Sequence, residues 1–354
     1  MEKPLAYSQQ HQVLPGPRAG LKKGILSCIG ATPLVELARL FRGREFRLFA
    51  KMEQLNPGGS TKDRPAIQII ERGLETGEIR EGTVVLESSS GNMGIGLAQA
   101  CAYYRLRFIC VVDPKITRQN LALLRAYNAE VEMVEDPDPE TGEFLAARIK
   151  RIRKLQASLQ RSFWTNQYAS QWNSSAHHRT MHEIVTGLDG RLDFLFCATS
   201  TCGTLRGCAE YKERYQLPTR IIAVDAVGSI IFGGEKKTRL IPGHGAALVP
   251  QLYSDDLADE VVKVTDLECV VGCHKLIQEE ALLAGGSSGA IVSAIEHYLP
   301  KLHRGATCVA LFADRGERYL DTIYSLEWIK EHFGEVSHLW KQPAPTLVCA
   351  SAIS

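Results

Sequence analysis

The chain has 354 residues, 45% of them hydrophobic and 23% charged, ordinary values for a globular protein with room for two domains or one large one. Its 41 Lys and Arg against 40 Asp and Glu leave a net charge of +1, so no global field attracts nucleic acid or an anionic membrane, and small neutral or zwitterionic ligands fit better. No run of about 18 apolar residues suggests a spanning helix, and the polar first 20 residues lack the apolar stretch of a signal peptide, which reads as cytoplasmic.

Residues 1–20 carry Pro15, Gly16, Pro17 and Gly20 without periodicity and read as a loose arm. Gly30-Ala31-Thr32-Pro33-Leu34-Val35 turns into an extended apolar run, and 48–53 reads as a strand. The stretch Asn56-Pro57-Gly58-Gly59-Ser60-Thr61-Lys62-Asp63-Arg64 follows, turn formers leading into a helix that Ser60 or Thr61 can cap. Ala66, Ile67, Ile69, Ile70 and Leu74 give that helix an apolar face before Gly77. Lys62 is expected in its first turn, where the macrodipole and free N–H groups disfavour positive charge. Such an amine loses its proton easily, the state needed to form an imine with an aldehyde cofactor. The plainer reading is an exposed lysine. A phosphate-binding P-loop is excluded, because Asp63 stands where that motif needs Ser or Thr.

Strands and helices then alternate: strand 83–87, helix 91–104, strand 108–113, helix 117–127, strand 131–134 and helix 142–159. The order is that of a parallel sheet with helices on both faces. The last helix carries Arg148, Lys150, Arg151, Arg153 and Lys154, which read as a solvated face. A second α/β set begins near Phe163, with strand 192–198, helix 204–215, strand 220–226, strand 261–265, helix 267–283, helix 290–302 and strand 307–313. Residues 336–354 read as a tail.

Three more turns sit where parallel sheets place ligands, at strand ends leading into helices. In Ser88-Ser89-Ser90-Gly91-Asn92 the hydroxyls and N–H groups can grip a carboxylate and the Asn92 amide can reach a polar ring; a helix cap is the alternative. Ser200-Thr201-Cys202-Gly203-Thr204 has no lysine and no acidic metal ligand, which suits a small phosphate dianion held by amides. Cys202 there is either a reactive thiol or a buried one. In Gly286-Ser287-Ser288-Gly289 a serine hydroxyl can bond a neutral ring nitrogen, which favours β-elimination over transamination.

Other chemistries fit less well. His177, His178 and His182 cluster beside Glu183 but lack zinc-site spacing, as do Cys269, Cys273 and His274. No metal site is expected. Gly91, Gly94 and Gly96 reverse the dinucleotide-binding order. The ten cysteines contain no C-x-x-C pair and read as reduced thiols.

Taken in order, 59–64, Ser89-Ser90-Gly91-Asn92, 200–204 and 286–289 resemble the cysteine synthase family of fold-type II pyridoxal-phosphate enzymes. Gly30-Ala31-Thr32-Pro33-Leu34-Val35 and Gly316-Glu317-Arg318-Tyr319 match its other recurring stretches, and the resemblance spans about 24–330. It implies pyridoxal 5'-phosphate as cofactor, a Schiff-base lysine at Lys62 and a ring-hydroxyl contact at Asn92. It further implies a phosphate loop of Ser200, Thr201, Cys202, Gly203 and Thr204, a ring-nitrogen partner at Ser287, and a homodimer. The implied fold is two three-layer α/β domains with mostly parallel sheets and the cofactor between them. The smaller domain would be 56–165 and the larger 21–55 plus 166–335, flanked by the arm and the tail.

Within that family Val111-Val112-Asp113-Pro114-Lys115, Asn166-Gln167-Tyr168-Ala169, 224–229 and 314–321 are similar to a group that joins O-phospho-L-serine to L-glutamate on the way to 2,3-diaminopropionate for siderophores. In the reaction this implies, the substrate carboxylate is held by Ser88, Ser89, Ser90, Gly91 and Asn92; a phosphorylated leaving group wants a cation or several donors near it, and the helix bearing Arg148 and the segment bearing Tyr168 are the candidates. A sulfhydrylase using O-acetylserine or O-phosphoserine is the alternative within the family, and a non-catalytic regulatory partner the alternative outside it. Two departures stand out. Cys202 replaces the usual Gly or Thr, and Thr180-Met181-His182-Glu183-Ile184 is one residue shorter than the family's stretch, which could reshape the wall near the second substrate.

Overall fold

The computed structural model describes residues 23–340. The arm expected over 1–20 and the part of the tail beyond residue 340 lie outside the described residues. Strand β1 (Leu34–Glu36) pairs antiparallel with β2 (Arg47–Met52), after which the chain enters the lysine loop and helix α1 (Asp63–Thr76). Buried Ala66, Ile69, Ile70 and Gly73 form the inner face of α1, and Gly77 ends it with φ 76°. Each buried Ile contributes about 1.5–3 kcal/mol.

Strand β3 (Val84–Ser88), helix α2 (Asn92–Tyr104), β4 (Arg107–Val112), α3 (Arg118–Ala126), β5 (Glu130–Met133), α4 (Phe144–Ser158) and β6 (Ser162–Trp164) complete a four-stranded sheet, ordered β5-β4-β3-β6 and parallel throughout. The segment near Phe163, expected to begin the second set, instead supplies the edge strand of the first. Phe108, Cys110 and Val112 face one core layer while Ile109 and Val111 face another, because successive β4 side chains alternate and helices cover both faces.

Helices α5 (Gln171–Ser175) and α6 (His178–Gly187) follow, then β7 (Phe194–Ala198), α7 (Gly203–Arg214), β8 (Arg220–Ala226), β9 (Glu260–Val264), α8 (Asp266–Glu280), α9 (Gly286–Tyr298), β10 (Thr307–Phe312) and α10 (Leu326–Phe333). These strands join β1 and β2 in a six-stranded sheet, order β1-β2-β10-β7-β8-β9, parallel except for β1. Helix α9 starts at Gly286, not near 290, so the glycine-serine turn is its first turn. Gly272 and Gly289 let α8 and α9 touch backbone to backbone: a Cβ on either would lie 2.1 Å from a main-chain oxygen of the other helix. The segment 336–340, expected as tail, packs instead; Trp340 is buried and stacks on His274 with ring centroids 4.3 Å apart. Among the described residues no helix is long and apolar enough to cross a membrane.

Candidate active site

Because the strands run parallel, the loops after β3, β7 and β10 leave the same end of their sheets, and the lysine loop joins them through backbone pairing. Thr61 N–H donates to Ala313 O at 2.7 Å, Ser60 bridges Asp314, and Gly285 N–H donates to Asp314 O at 3.0 Å. The segment following β10 thus holds both the Lys62 loop and the start of α9.

Lys62 is the cap residue of α1 rather than part of its first turn, and neither expected serine nor threonine caps the helix; Ser60 Oγ accepts the Lys62 N–H at 3.2 Å. The turn is shaped by Asp63, whose carboxylate accepts Gly58 N–H at 2.5 Å and whose pKa burial pushes up to about 7. Burial lowers the Lys62 amine pKa, against opposing pulls from Cys197 and Asp314. The sequence argument reached the same direction through the helix dipole, but desolvation is the larger cause.

Lys62 lines a cavity together with Thr61, Ser200, Thr201, Cys202, Gly203, Thr204, Gly243 and Ser287. Three of the four expected elements therefore share one wall. Cys202 adopts φ 62° at the turn into α7 and is 2% exposed, and burial pushes its thiol pKa up to about 12. That is the buried thiol, not the reactive one. Gly203 is required by packing, since a Cβ there would lie 2.3 Å from Asn173 Oδ1. His177, buried and held well below its ordinary pKa by desolvation, links Thr180 Oγ1 at 3.1 Å to Thr204 Oγ1 at 3.2 Å and so steadies the loop.

The serine loop lies apart from that wall. Ser89 Oγ accepts from Gly91 and Gly94 at the start of α2, while Ser88 Oγ is buried without a partner. Ser90 Oγ accepts from Asp113 N–H at 3.2 Å and from Arg148 at 3.1 Å. Arg148 does not join the solvated face of α4: its side chain is 11% exposed and pairs with Asp113 at 3.2 Å, whereas Lys150 and Arg151 pair with surface-side carboxylates. Tyr168 is mostly buried, which raises its pKa, and the charges of Arg148 and Arg239 act on it. Asn92 Nδ2 donates to Asp314 at 2.8 Å and its Oδ1 accepts from Arg318.

Within the short stretch 180–184, Glu183 enters a buried ion cluster: it accepts from Lys51 at 2.6 Å and from Arg64 at 2.6 Å, and Arg64 also pairs with Glu53 at 2.6 Å. The remaining histidines find separate partners, His178 on Glu210 and His182 on the Tyr211 hydroxyl. Sequence reasoning missed His177 as a support of the 200–204 loop and assigns no role to Asp314, although 314–321 is a matching stretch.

The sequence profile of the pyridoxal-phosphate dependent enzymes matches residues 25–314. The chain belongs to that family. It is 47% identical over 310 residues to an N-(2-amino-2-carboxyethyl)-L-glutamate synthase of Ralstonia nicotianae, covering 87% of this chain and 91% of that protein. Its fold is similar to the O-acetylserine dependent cystathionine beta-synthase of Helicobacter pylori, with TM-score 0.80 and 31% identity over 86% of this chain and all of that one. It is also similar to a cysteine synthase of Entamoeba histolytica, with TM-score 0.79 and 29% identity over 89% of this chain and 94% of that one. The fold is thus that of the fold-type II enzymes, and the cofactor of the family is pyridoxal phosphate.

The cavity fits that cofactor. Thr61 Oγ1 is buried on its wall with no hydrogen-bond partner, a polar atom that a guest would satisfy. The start of α7 offers amides to a phosphate dianion without a competing carboxylate on the wall, and Lys62 offers an amine.

Proposed function

We propose that this enzyme joins O-phospho-L-serine to L-glutamate by β-replacement, giving N-(2-amino-2-carboxyethyl)-L-glutamate, a precursor of L-2,3-diaminopropionate, and phosphate. The observation that carries the reading is the set of Lys62, the 200–204 loop and Ser287 on one cavity, in a chain 47% identical to a synthase of that name. Pyridoxal phosphate, when bound, supplies the electron sink that stabilises negative charge at the substrate α-carbon.

The residues divide the work. Ser200, Thr201, Cys202, Gly203 and Thr204 would hold the cofactor phosphate through their amides and hydroxyls, and Ser287 would offer its hydroxyl to the ring nitrogen. A hydroxyl leaves that nitrogen unprotonated, which favours loss of the β-substituent over transamination. Lys62, its pKa lowered by burial, removes the α-proton and later returns it. The β-carbon loses its C–O bond to phosphate and gains a C–N bond from the glutamate amine, which gives up one proton. In this reading Ser88 and Ser90 would hold the substrate carboxylate, Asn92 would donate to the cofactor ring hydroxyl, and Arg148 with Tyr168 would meet the phosphorylated leaving group.

We further read the two sheets as two domains, 56–165 and 21–55 plus 166–335, of a cytoplasmic homodimer. Light scattering of the purified protein tests the dimer. The activity is tested by supplying O-phospho-L-serine with either L-glutamate or sulfide. Phosphate release with glutamate and an N-linked adduct by mass spectrometry support the synthase; cysteine formed from sulfide with glutamate inert assigns a sulfhydrylase instead. A protein that takes up pyridoxal phosphate but turns over neither pair assigns the regulatory partner.

A further inference from the structure

Asp314, the second residue beyond β10, touches three of the four loops of the site: the lysine loop, the start of α9 and Asn92. Its main-chain oxygen accepts the N–H of Gly285, which precedes the helix bearing Ser287, and its backbone bridges Ser60 in the lysine loop. Its Oδ2 accepts from Asn92 Nδ2 at 2.8 Å and from the Tyr319 hydroxyl at 2.5 Å. Its Oδ1 is buried without a hydrogen-bond partner, and the residue is 2% exposed. The carboxylate fits only because residue 285 is glycine: a Cβ there would lie 1.9 Å from Oδ1.

The consequence for Asn92 follows from its donor inventory. A side-chain amide has one oxygen and two N–H groups, and the two ends are otherwise interchangeable. Arg318 occupies the oxygen and Asp314 one N–H, so the amide cannot turn over without setting oxygen against carboxylate and N–H against guanidinium. One N–H remains to donate to the oxygen of a cofactor ring hydroxyl. Arg318 also donates to Gly58 O, so the same segment that orients Asn92 grips the turn leading to Lys62.

We propose that Asp314 is a positioning residue: it orients the Asn92 amide toward the cofactor and, through the backbone pairing of 313–314 with Ser60 and Thr61, sets its negative charge beside the Lys62 loop. Lys62 is under the influence of Cys197 on β7 as well as Asp314, and itself acts on His177. Around Asp314 stand Lys62, Tyr319, Arg318, Cys273 of α8 and Tyr324. Asp314 is the one carboxylate among these groups, and asparagine is its near-isosteric neutral replacement.

The test uses Asp314→Asn in the full chain, stripped of cofactor. Two quantities are read: the dissociation constant for pyridoxal 5'-phosphate, and the pH midpoint of Lys62 acylation by acetic anhydride, followed by mass spectrometry. The expected results are cofactor binding about tenfold weaker and a midpoint about one pH unit lower, the size the loss of a nearby opposite charge produces. A merely structural role would leave the midpoint in place. A folded Asp314→Asn protein that keeps either the wild-type affinity or the wild-type midpoint overturns the assignment. Tyr319→Phe serves if that protein does not fold. It keeps the charge but frees the carboxylate to turn from Asn92, so affinity is expected to fall about threefold with the midpoint unchanged; unchanged affinity overturns the proposal. Both readouts concern the cofactor and the lysine, so they stand whichever nucleophile the enzyme uses.

Discussion

Glu183→Gln is expected to destabilise the protein by about 3 kcal/mol at neutral pH, and two independent routes give that figure. Burial pushes the Glu183 carboxyl up, but Arg64 and Lys51 outweigh it and hold the pKa at about 2, against an ordinary 4.5. At 1.36 kcal/mol for each pH unit, that difference is worth about 3 kcal/mol. The second route is structural: the glutamate side chain is 9% exposed and faces Lys51, itself 1% exposed, and Arg64, 3% exposed. Removing one partner of such a buried pair leaves uncompensated charge and costs about 3–5 kcal/mol. Because the folded carboxyl titrates below the unfolded one, its contribution is complete above about pH 4.5 and is lost as the pH falls toward 2. Thermal melts of both proteins from pH 7 to pH 2.5 are the assay. The variant should melt about 5–10 °C lower at pH 7, and the gap should close in acid. A gap under about 1 kcal/mol at pH 7, or one that does not narrow below pH 4.5, refutes the reasoning. The lysine loop is expected to suffer too, since Arg64 lies two residues beyond Lys62.

Lys62→Ala should abolish the covalent attachment of pyridoxal phosphate and lower kcat by a factor on the order of 10³ or more, read by absorbance of the dialysed protein and by phosphate release. Gly203→Ala should weaken cofactor binding by more than about tenfold, because its Cβ would lie 2.3 Å from Asn173 Oδ1 and force the phosphate loop to move. Arg148→Gln should raise KM for O-phospho-L-serine about tenfold while leaving the dissociation constant of pyridoxal phosphate unchanged; equal losses in both would make Arg148 a structural residue of the Ser90 loop. Iodoacetamide applied to the native protein should modify exposed Cys28 and leave Cys202 untouched, with peptide mapping as the check; rapid labelling of Cys202 would mean that its burial and raised pKa do not describe the protein in solution.

Local chemistry was enough for much of this protein. Alternating apolar runs placed the strands within a residue or two, and Gly77 and Thr117 marked a helix end and a helix start where the structure has them, Thr117 Oγ1 accepting from Asn120 N–H. The lysine, the amide-rich turn at 200–204 and the serine at 287 were legible because each stands at the start of a helix, in a stretch written in glycines and hydroxyls. What the tertiary structure decided is how distant residues meet. No spacing along the chain announces that Asp314 accepts from Asn92, 222 positions away, or that Glu183 closes on Lys51 and Arg64 across 132 and 119 positions. Nor could it say that Arg148 turns from the basic face of its helix toward Ser90, since a helical pattern gives a residue's face but not what packs there. The turns follow from backbone preferences that act over a few residues; the charges that orient and tune them come together only when two sheets fold against one another.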